Sequence, residues 1–189
     1  MKLRRYQEAI ESYEEAIEEG LTDPEIWHGK NEALKCLEEF VIQRKSSKLH
    51  LQLYEAVAWI DENLHMFVRQ QLKKAYGIED DQWWMQGIPL TIRQKCAQRR
   101  EEDPRRKEQY NYIDLIDLKE ILDKNWRHFE ACFNRVKGQI KTKKDLLDNL
   151  VRLNEIRKTV MHPVRGSATQ DDLKFAVEMQ DIIKGFATL

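Results

Sequence analysis

The side chains best suited to chemistry lie close together in the segment LNEIRKTVMHP. Arg157 and His162 are separated by four residues, and His162 directly precedes Pro163. A guanidinium can bind a phosphate through two parallel hydrogen bonds, and a histidine can accept or donate a proton near neutral pH. These residue types therefore suit cleavage of RNA without a metal ion, with the 2′-hydroxyl as the internal nucleophile.

Arg157 occupies an unusual position for a charged residue. With Leu146 at 0° and a step of about 100° per residue, Leu153 lies at roughly 340° and Arg157 at roughly 20°. Arg157 is then in the middle of the apolar face of its helix, where an unpaired guanidinium is costly. We expect it to meet a carboxylate such as Asp117 or Asp123, a subunit interface or an anionic ligand.

His162 should leave this helix, because a residue before proline is pushed out of helical geometry. Its imidazole is then free either to turn back toward Arg157 or simply to cap the end of the helix. Two neighbours could contribute to the same site. Lys158 adds a cation that can contact an RNA backbone, and Asn154 either orients the scissile phosphate or packs at the edge of the apolar stripe.

Helices must position these residues, because the composition favours no other structure. The chain has 189 residues with only 7 Gly and 4 Pro, too few chain breakers for a turn-rich β-sandwich or barrel. A hydrophobic fraction of 41% excludes a disordered chain. The formal net charge of −1 gives no general affinity for polyanions, so an RNA site would have to be local. The predicted fold class is all-α.

Helical spacing of apolar residues and helix-capping residues predict the individual elements. Two helices joined by a turn at Gly20 and capped at Thr22 or Asp23 occupy the first forty residues. A connector with a large aromatic plug spans about 80–89, and the charged stretch from Arg99 to Asn111 is either a solvated or a phosphate-contacting loop. The other predicted helices run from Ser46 or Ser47 to Tyr76, Leu90 to Arg100, Asp114 or Asp117 to Val136, Thr142 to Met161, and Thr169 to Gly185.

The segment RRYQEAIESYEEAIEEGLTDPEIWHGKNEALKCL resembles a tetratricopeptide (TPR) repeat. It carries the Tyr, Ala-Ile, Tyr and Ala-Ile of a repeat's second helix, followed by the Pro and Trp that open the next repeat. A single repeat cannot bury its apolar face alone, so these helices must pack on the rest of the chain, on a partner or on further repeats. We predict a TPR-like helical pair over residues 1–43, with a protein partner as one of these three possibilities.

Residues 46–189 resemble a HEPN domain, an all-helical family whose motif is an Arg, four to six residues and a His near the end of a late helix. The resemblance rests on the LNEIRKTVMHP segment and on the upstream segments WWMQGIP, YNY and IDLIDLKEILDKNWRHF. It implies a HEPN-type helical bundle, a homodimer whose Arg and His residues face one another, and binding of RNA or a nucleotide.

The same resemblance implies metal-independent endoribonuclease activity, which the family's active members have, with Arg157 and His162 as the catalytic residues. Lys158 stands where many active members carry Asn or another small polar residue, which puts catalysis in question more than the fold. A second interpretation therefore stays open, in which the chain is a non-catalytic TPR/HEPN scaffold for protein interactions.

The cysteines and the apolar runs bear on the cellular compartment, on metal binding and on membrane association. Cys36, Cys96 and Cys132 are odd in number and widely spaced, which favours reduced thiols in a cytoplasmic protein. His128 and Cys132 would share a helix face, but an ordinary packed stripe explains them better than half of a metal site. We expect no metal, no cofactor and no membrane, because no apolar run approaches about 20 residues and the N-terminal segment lacks a signal-peptide core.

Overall fold

A computed structural model describes residues 2–21, 23–135, 140, 142–162 and 167–187. Within these ranges the chain is helical and contains no β-strand, which confirms the all-α class. Short 3₁₀ turns at Glu79–Asp81 and Gln109–Tyr112 and a π-helical turn at Trp83–Gly87 connect longer helices. The helices are α1 (Lys2–Glu18), α2 (Pro24–Tyr76), α3 (Leu90–Glu102), α4 (Leu115–Lys124), α5 (Trp126–Arg135), α6 (Lys143–Met161) and α7 (Gln170–Ala187).

The chain divides into two compact units, residues 1–51 and 52–189, and α2 contributes residues to both. In the first unit, α1 and the start of α2 form a helical pair. Gly20, with φ +86°, provides the predicted turn, and Asp23 accepts a hydrogen bond from the Glu25 N–H at 2.9 Å. The two helices approach closely at Gly29, where a Cβ atom would lie 2.6 Å from the ring of Tyr13.

Helix α2 continues without interruption across residues 44–47, so the predicted cap at Ser46 or Ser47 is wrong. The Ser47 hydroxyl donates instead to the Gln43 carbonyl at 2.9 Å, one turn earlier, which is a bond that a helix interior accommodates. These four residues include no glycine or proline. A polar stretch without a glycine or proline does not by itself end a helix.

Helix α2 ends at Gly77, whose φ is +87°, and the chain then bends into the second unit's core. Asp80 and Asp81 both have positive φ values, +50° and +53°, which turn the backbone sharply. The π-helical turn that follows buries Trp83 and Trp84. The predicted aromatic plug is therefore confirmed.

The single helix predicted from Asp114 or Asp117 to Val136 is wrong, because the chain forms two helices, α4 and α5, divided at Asn125. Asn125 has φ −103° and ψ 18°, outside the helical region. Asparagine side chains that bind nearby carbonyls compete with the helical hydrogen-bond pattern, which accounts for the break. The predicted end at Val136 lies outside the described residues.

Asn125 is fully buried and forms a three-way hydrogen-bonded junction. Its Nδ2 donates to the carbonyls of Gly87 and Ile121, each at 2.7 Å. Its Oδ1 accepts a hydrogen bond from the Tyr76 hydroxyl, also at 2.7 Å. One side chain thus ties α4 to the aromatic turn and to the end of α2.

The predicted charged loop is shorter than expected, because α3 extends to Glu102 and a 3₁₀ turn begins at Gln109. The irregular part is therefore residues 103–108. Its exposed basic residue Arg106 pairs with Glu101 at 3.1 Å, a surface ion pair that contributes little to stability.

Helix α6 has the predicted ends. Thr142 caps it, accepting the Asp145 N–H at 3.1 Å while its own N–H donates to the Asp145 carboxylate at 2.9 Å. The helix ends at Met161, and His162 has φ −133° and ψ 77°, which confirms that it leaves the helix.

Helix α7 begins just after Thr169, as predicted, and reaches Ala187. Thr169 and Asp172 form its N-terminal cap, with the Asp172 N–H donating to the Thr169 hydroxyl at 3.1 Å. The apolar side chains of α7 are largely buried in the bundle, namely Phe175, Ala176, Met179, Ile182, Ile183 and Phe186. None of the described helices carries an apolar stretch long enough to cross a membrane.

The cysteines are free thiols, and two of them are buried. Burial raises the pKa of the Cys96 thiol to about 11, so Cys96 stays protonated at neutral pH. Cys132 belongs to the packed stripe of α5, with Phe129 and Phe133. Across the ranges that the structure covers, no group of three or more His, Cys, Asp and Glu side chains is arranged to hold a metal ion.

Candidate functional site

An open cleft of about 520 Å³ lies in the second unit, where α2, residues 110–114 and α6 come together. Helix α2 lines it with Asp61, His65 and Arg69, and α6 lines it with Arg157. The spacing of the three α2 residues is four, so they form one row along one face of the helix. One residue of the late sequence motif, Arg157, and a row of residues on an early helix thus line the same cleft.

Arg157 is the cleft residue that the sequence predicted. Its side chain is 32% exposed, and its Nε lies 3.7 Å from Oδ2 of Asp61. In the part of the chain that the structure describes, neither terminal guanidinium nitrogen makes a hydrogen bond to the protein. The expected carboxylate is therefore present, and the two nitrogens that can bind a phosphate in parallel stay available.

The two carboxylates proposed from the sequence as partners of Arg157 have other partners. Asp117 pairs with Lys95 at 2.7 Å, and Asp123 pairs with Lys143. The choice was wrong because helical periodicity tells which face a residue occupies and says nothing about which distant helix packs against that face.

Asp61 lies between the arginine and a histidine. Its Oδ1 is 3.3 Å from Nε2 of His65, one turn further along α2. This oxygen is buried and has no hydrogen-bond partner among the described residues. A carboxylate this close to a ring nitrogen can orient the imidazole of a histidine through a hydrogen bond.

Tyr110 lines the cleft next to His65. The ring of Tyr110 meets the His65 ring edge-on, with centroids 5.7 Å apart, and the Tyr110 hydroxyl donates to the His65 carbonyl at 2.8 Å. Burial raises the pKa of Tyr110, so its hydroxyl remains a donor. Arg69 stacks against Trp83 and Tyr110 and pairs with Glu108, which leaves Arg157 as the less engaged cation.

Asp114 closes another side of the cleft and is the N-cap of α4. Its Oδ2 accepts hydrogen bonds from Lys95 at 2.8 Å and Arg99 at 2.9 Å. Burial alone would raise the pKa of this carboxyl group, but the hydrogen bonds from the two cations outweigh burial and hold the pKa below its usual value.

Acid should weaken the fold through Asp114. A carboxyl group whose pKa is lower in the folded than in the unfolded state stabilises the fold fully above its unfolded pKa of about 3.9. That stability is lost as the pH falls through the folded pKa. We expect Asp114→Asn to lower the Tm at pH 7 and to flatten the dependence of Tm on pH below about pH 4, measured by circular dichroism. Asp148→Asn, at an exposed position, is the control. An Asp114→Asn protein as acid-sensitive as wild type would contradict this assignment.

The other sequence-predicted residues lie outside the cleft. His162 is exposed just past α6, where its N–H donates to the Lys158 carbonyl at 3.0 Å. Lys158 is exposed, pairs with Glu155 at 2.7 Å and lines a different opening. Asn154 is only 4% exposed and lies in the core. Within one chain, the structure therefore brings none of these three to the cleft that Arg157 lines.

Sequence reasoning missed the α2 row, although a signal for it exists. The buried stripe of α2 includes Ile60, Leu64 and Val68. The polar row lies one position further along at each step, at the edge of the stripe, and consists of Asp61, His65 and Arg69. Ionisable residues repeated at the edge of an apolar stripe occur on any amphipathic helix, so the pattern indicates where the row lies and not that it faces a cleft.

No family model matches the chain, and the searches of curated proteins and of solved structures found no match.

Proposed function

We propose that the chain is a HEPN-type helical domain that binds RNA and cleaves it without a metal ion. The observation that supports this proposal is the position of Arg157, which reaches an open cleft with both terminal guanidinium nitrogens free of hydrogen bonds to the described residues. A free, partly sheltered guanidinium is suited to a phosphate group, to which it can donate two parallel hydrogen bonds.

Arg157 would act on the negative charge that grows on the phosphate oxygens in the transition state. Within one chain His162 lies outside this cleft, so the homodimer would have to bring a His162 imidazole to it before that group takes the proton of the 2′-hydroxyl or gives one to the leaving oxygen. One histidine does not readily serve both roles in one turnover. In the homodimer that the HEPN resemblance implies, His162 of one subunit would supply one role and His162 of the partner subunit the other.

Two further residues have lesser places in the proposal. Lys158 is exposed and can contact the RNA backbone, because its partner Glu155 lies on the same helix surface and is itself exposed. The burial of Asn154 supports packing as its role, in preference to orienting the phosphate.

The test is cleavage of labelled RNA in the presence of EDTA. We expect wild-type protein to cleave and His162→Ala to lose activity by about 10²- to 10⁴-fold, the usual contribution of a general acid or base. His28→Ala is the matched control, because His28 is also exposed but lies in the first unit. If wild type is active and His162→Ala is equally active, His162 is not catalytic.

Light scattering tests the dimer in the same proposal. We expect a mass of twice the 22.7 kDa of one chain at micromolar concentration. A strict monomer that still cleaves RNA would remove the composite site and leave the cleavage itself standing.

The alternative is a protein-interaction module, and one observation favours it. In the first unit several large apolar side chains are exposed, including Leu21, Trp27 and Ile42. Such side chains on a TPR-like helical pair suit the docking of a protein partner. A wild-type protein that does not cleave RNA in EDTA would favour this second function.

A further inference from the structure

The cleft that Arg157 enters already contains a histidine, which the sequence motif does not include. His65 lines the cleft from α2, whereas His162 lies outside it, just past the end of α6. Breaking RNA at a phosphate needs two proton transfers, one from the 2′-hydroxyl and one to the leaving 5′-oxygen. The site proposed above contains only one histidine per subunit, His162, for these two transfers.

We propose that His65 is a further catalytic residue of this reaction and that Asp61 is its positioning residue. One subunit would then place both the arginine that binds the phosphate and a proton-transfer histidine in a single cleft. This inference rests on the proposed RNA cleavage, and it assigns one of the two roles to His65, so that the dimer need bring only His162 of the partner subunit to the cleft.

The geometry around Asp61 supports this assignment. Its two oxygens face different groups, with Oδ2 3.7 Å from Nε of Arg157 and Oδ1 3.3 Å from Nε2 of His65. The Oδ1 atom is buried and lacks a hydrogen bond among the described residues, so a small rotation of the imidazole would satisfy it. A hydrogen bond from Nε2–H to this oxygen would leave Nδ1 of His65 as the nitrogen able to accept a proton.

The His65 side chain is partly buried and remains accessible from the cleft. This side chain is 18% exposed, and Tyr110 contacts its ring edge-on and donates a hydrogen bond to the backbone carbonyl of His65. A histidine that is held in place yet open to a cleft meets the geometric requirement for proton transfer. The titratable and charged groups that line the cleft around it are Asp61, Glu62 and Arg69 of α2, Tyr110, Tyr112 and Asp114 of the facing segment, and Arg157 of α6.

The cleft measures about 520 Å³, within the range of about 300–1,000 Å³ that is typical of small-ligand sites. The reaction balances without a co-reactant. A bond forms between the 2′-oxygen and phosphorus as the bond between phosphorus and the 5′-oxygen breaks. One histidine takes the 2′-hydroxyl proton and the other gives a proton to the 5′-oxygen, leaving a 2′,3′-cyclic phosphate and a 5′-hydroxyl.

The experiment measures metal-free cleavage of labelled RNA by wild type, His65→Ala, His65→Gln and Asp61→Asn over a range of pH. We expect both His65 variants to lose about 10²- to 10⁴-fold in kcat, with KM nearly unchanged and one limb of the bell-shaped pH profile missing. Added imidazole should restore part of the activity of His65→Ala. Asp61→Asn should lower kcat more than it raises KM. His28→Gln is the matched control, and the Tm of each variant reports folding.

A measurement on the unaltered protein accompanies the variants. Uridine 3′-monophosphate should shift the NMR signals of the His65 imidazole in wild type, because its phosphate would lie between Arg157 and that ring. An unshifted His65 signal at saturating nucleotide would overturn the inference even if the variants failed to fold.

The outcomes separate the two proposals. An active wild type with fully active His65 variants overturns the role of His65 and leaves the cleavage reaction in place. Variants that lose activity but keep the wild-type pH profile and gain nothing from imidazole also overturn it, because His65 would then be structural. A wild-type protein that cleaves no RNA overturns the proposed function, and the role of His65 with it.

Discussion

Replacement of Arg157 by alanine will lower kcat/KM for metal-free RNA cleavage by about 10²- to 10³-fold, a loss of roughly 3–4 kcal/mol of transition-state stabilisation. The loss arises because the guanidinium is the cation in the cleft whose terminal nitrogens are free to bind the phosphate. The same change should barely alter the Tm. Arg157 is partly exposed and its single ion pair, with Asp61 at 3.7 Å, is of the kind that contributes little to folding.

Two further variants make the Arg157 experiment specific. Arg157→Lys keeps the charge but loses the planar pair of donors, so we expect it to recover only part of the activity. Arg105→Ala removes a well-exposed arginine of the same unit and should cleave like wild type. Cleavage by Arg157→Ala at the wild-type rate would contradict the phosphate-binding role, as would an equal loss in Arg105→Ala.

Replacement of Asn125 by alanine will lower the free energy of unfolding by about 3–5 kcal/mol, a large part of the roughly 5–15 kcal/mol that holds a typical domain. The change removes three hydrogen bonds of 2.7 Å from a fully buried position. It leaves the Gly87 carbonyl and the Tyr76 hydroxyl without that partner, and each unsatisfied buried group costs about 1–3 kcal/mol. It also opens a cavity where α4, α2 and the aromatic turn meet.

Urea denaturation followed by circular dichroism measures this effect. Tyr76→Phe removes only one of the three bonds and should cost about 1 kcal/mol. Asn134→Ala, at an exposed position of α5, should change the free energy of unfolding by less than about 0.5 kcal/mol. A loss below about 1 kcal/mol for Asn125→Ala would show that the junction is not a major source of stability.

At Asn125 and at residues 44–47 the helix breaks predicted from the sequence differ from those in the structure. A polar stretch in α2 suggested a break, but the helix continues because nothing in the stretch opposes helical geometry. Asn125 suggested nothing unusual inside a helical pattern, yet the helix breaks there. Its side chain binds Gly87, far away in sequence, and that bond exists only once the helices have packed.

The candidate site divides in the same way. Periodicity placed Arg157 on the inward face of a late helix, and the structure confirms that it meets a carboxylate. The identity of that carboxylate could not be predicted, because Asp61 lies on α2, far earlier in the chain. His65 and the remainder of the α2 row became visible as site residues only when the two helices were seen to line one cleft.

The sequence by itself determined the all-α class, the turn at Gly20, the cap at Thr142 and the departure of His162 from the helix. These features depend on interactions within a few residues, namely backbone geometry, capping hydrogen bonds and the steric effect of a following proline. Only the tertiary structure decided the break at Asn125 and which residues surround Arg157 in its cleft. Those depend on which helix faces meet, and that choice is made by packing between segments that are distant in the chain.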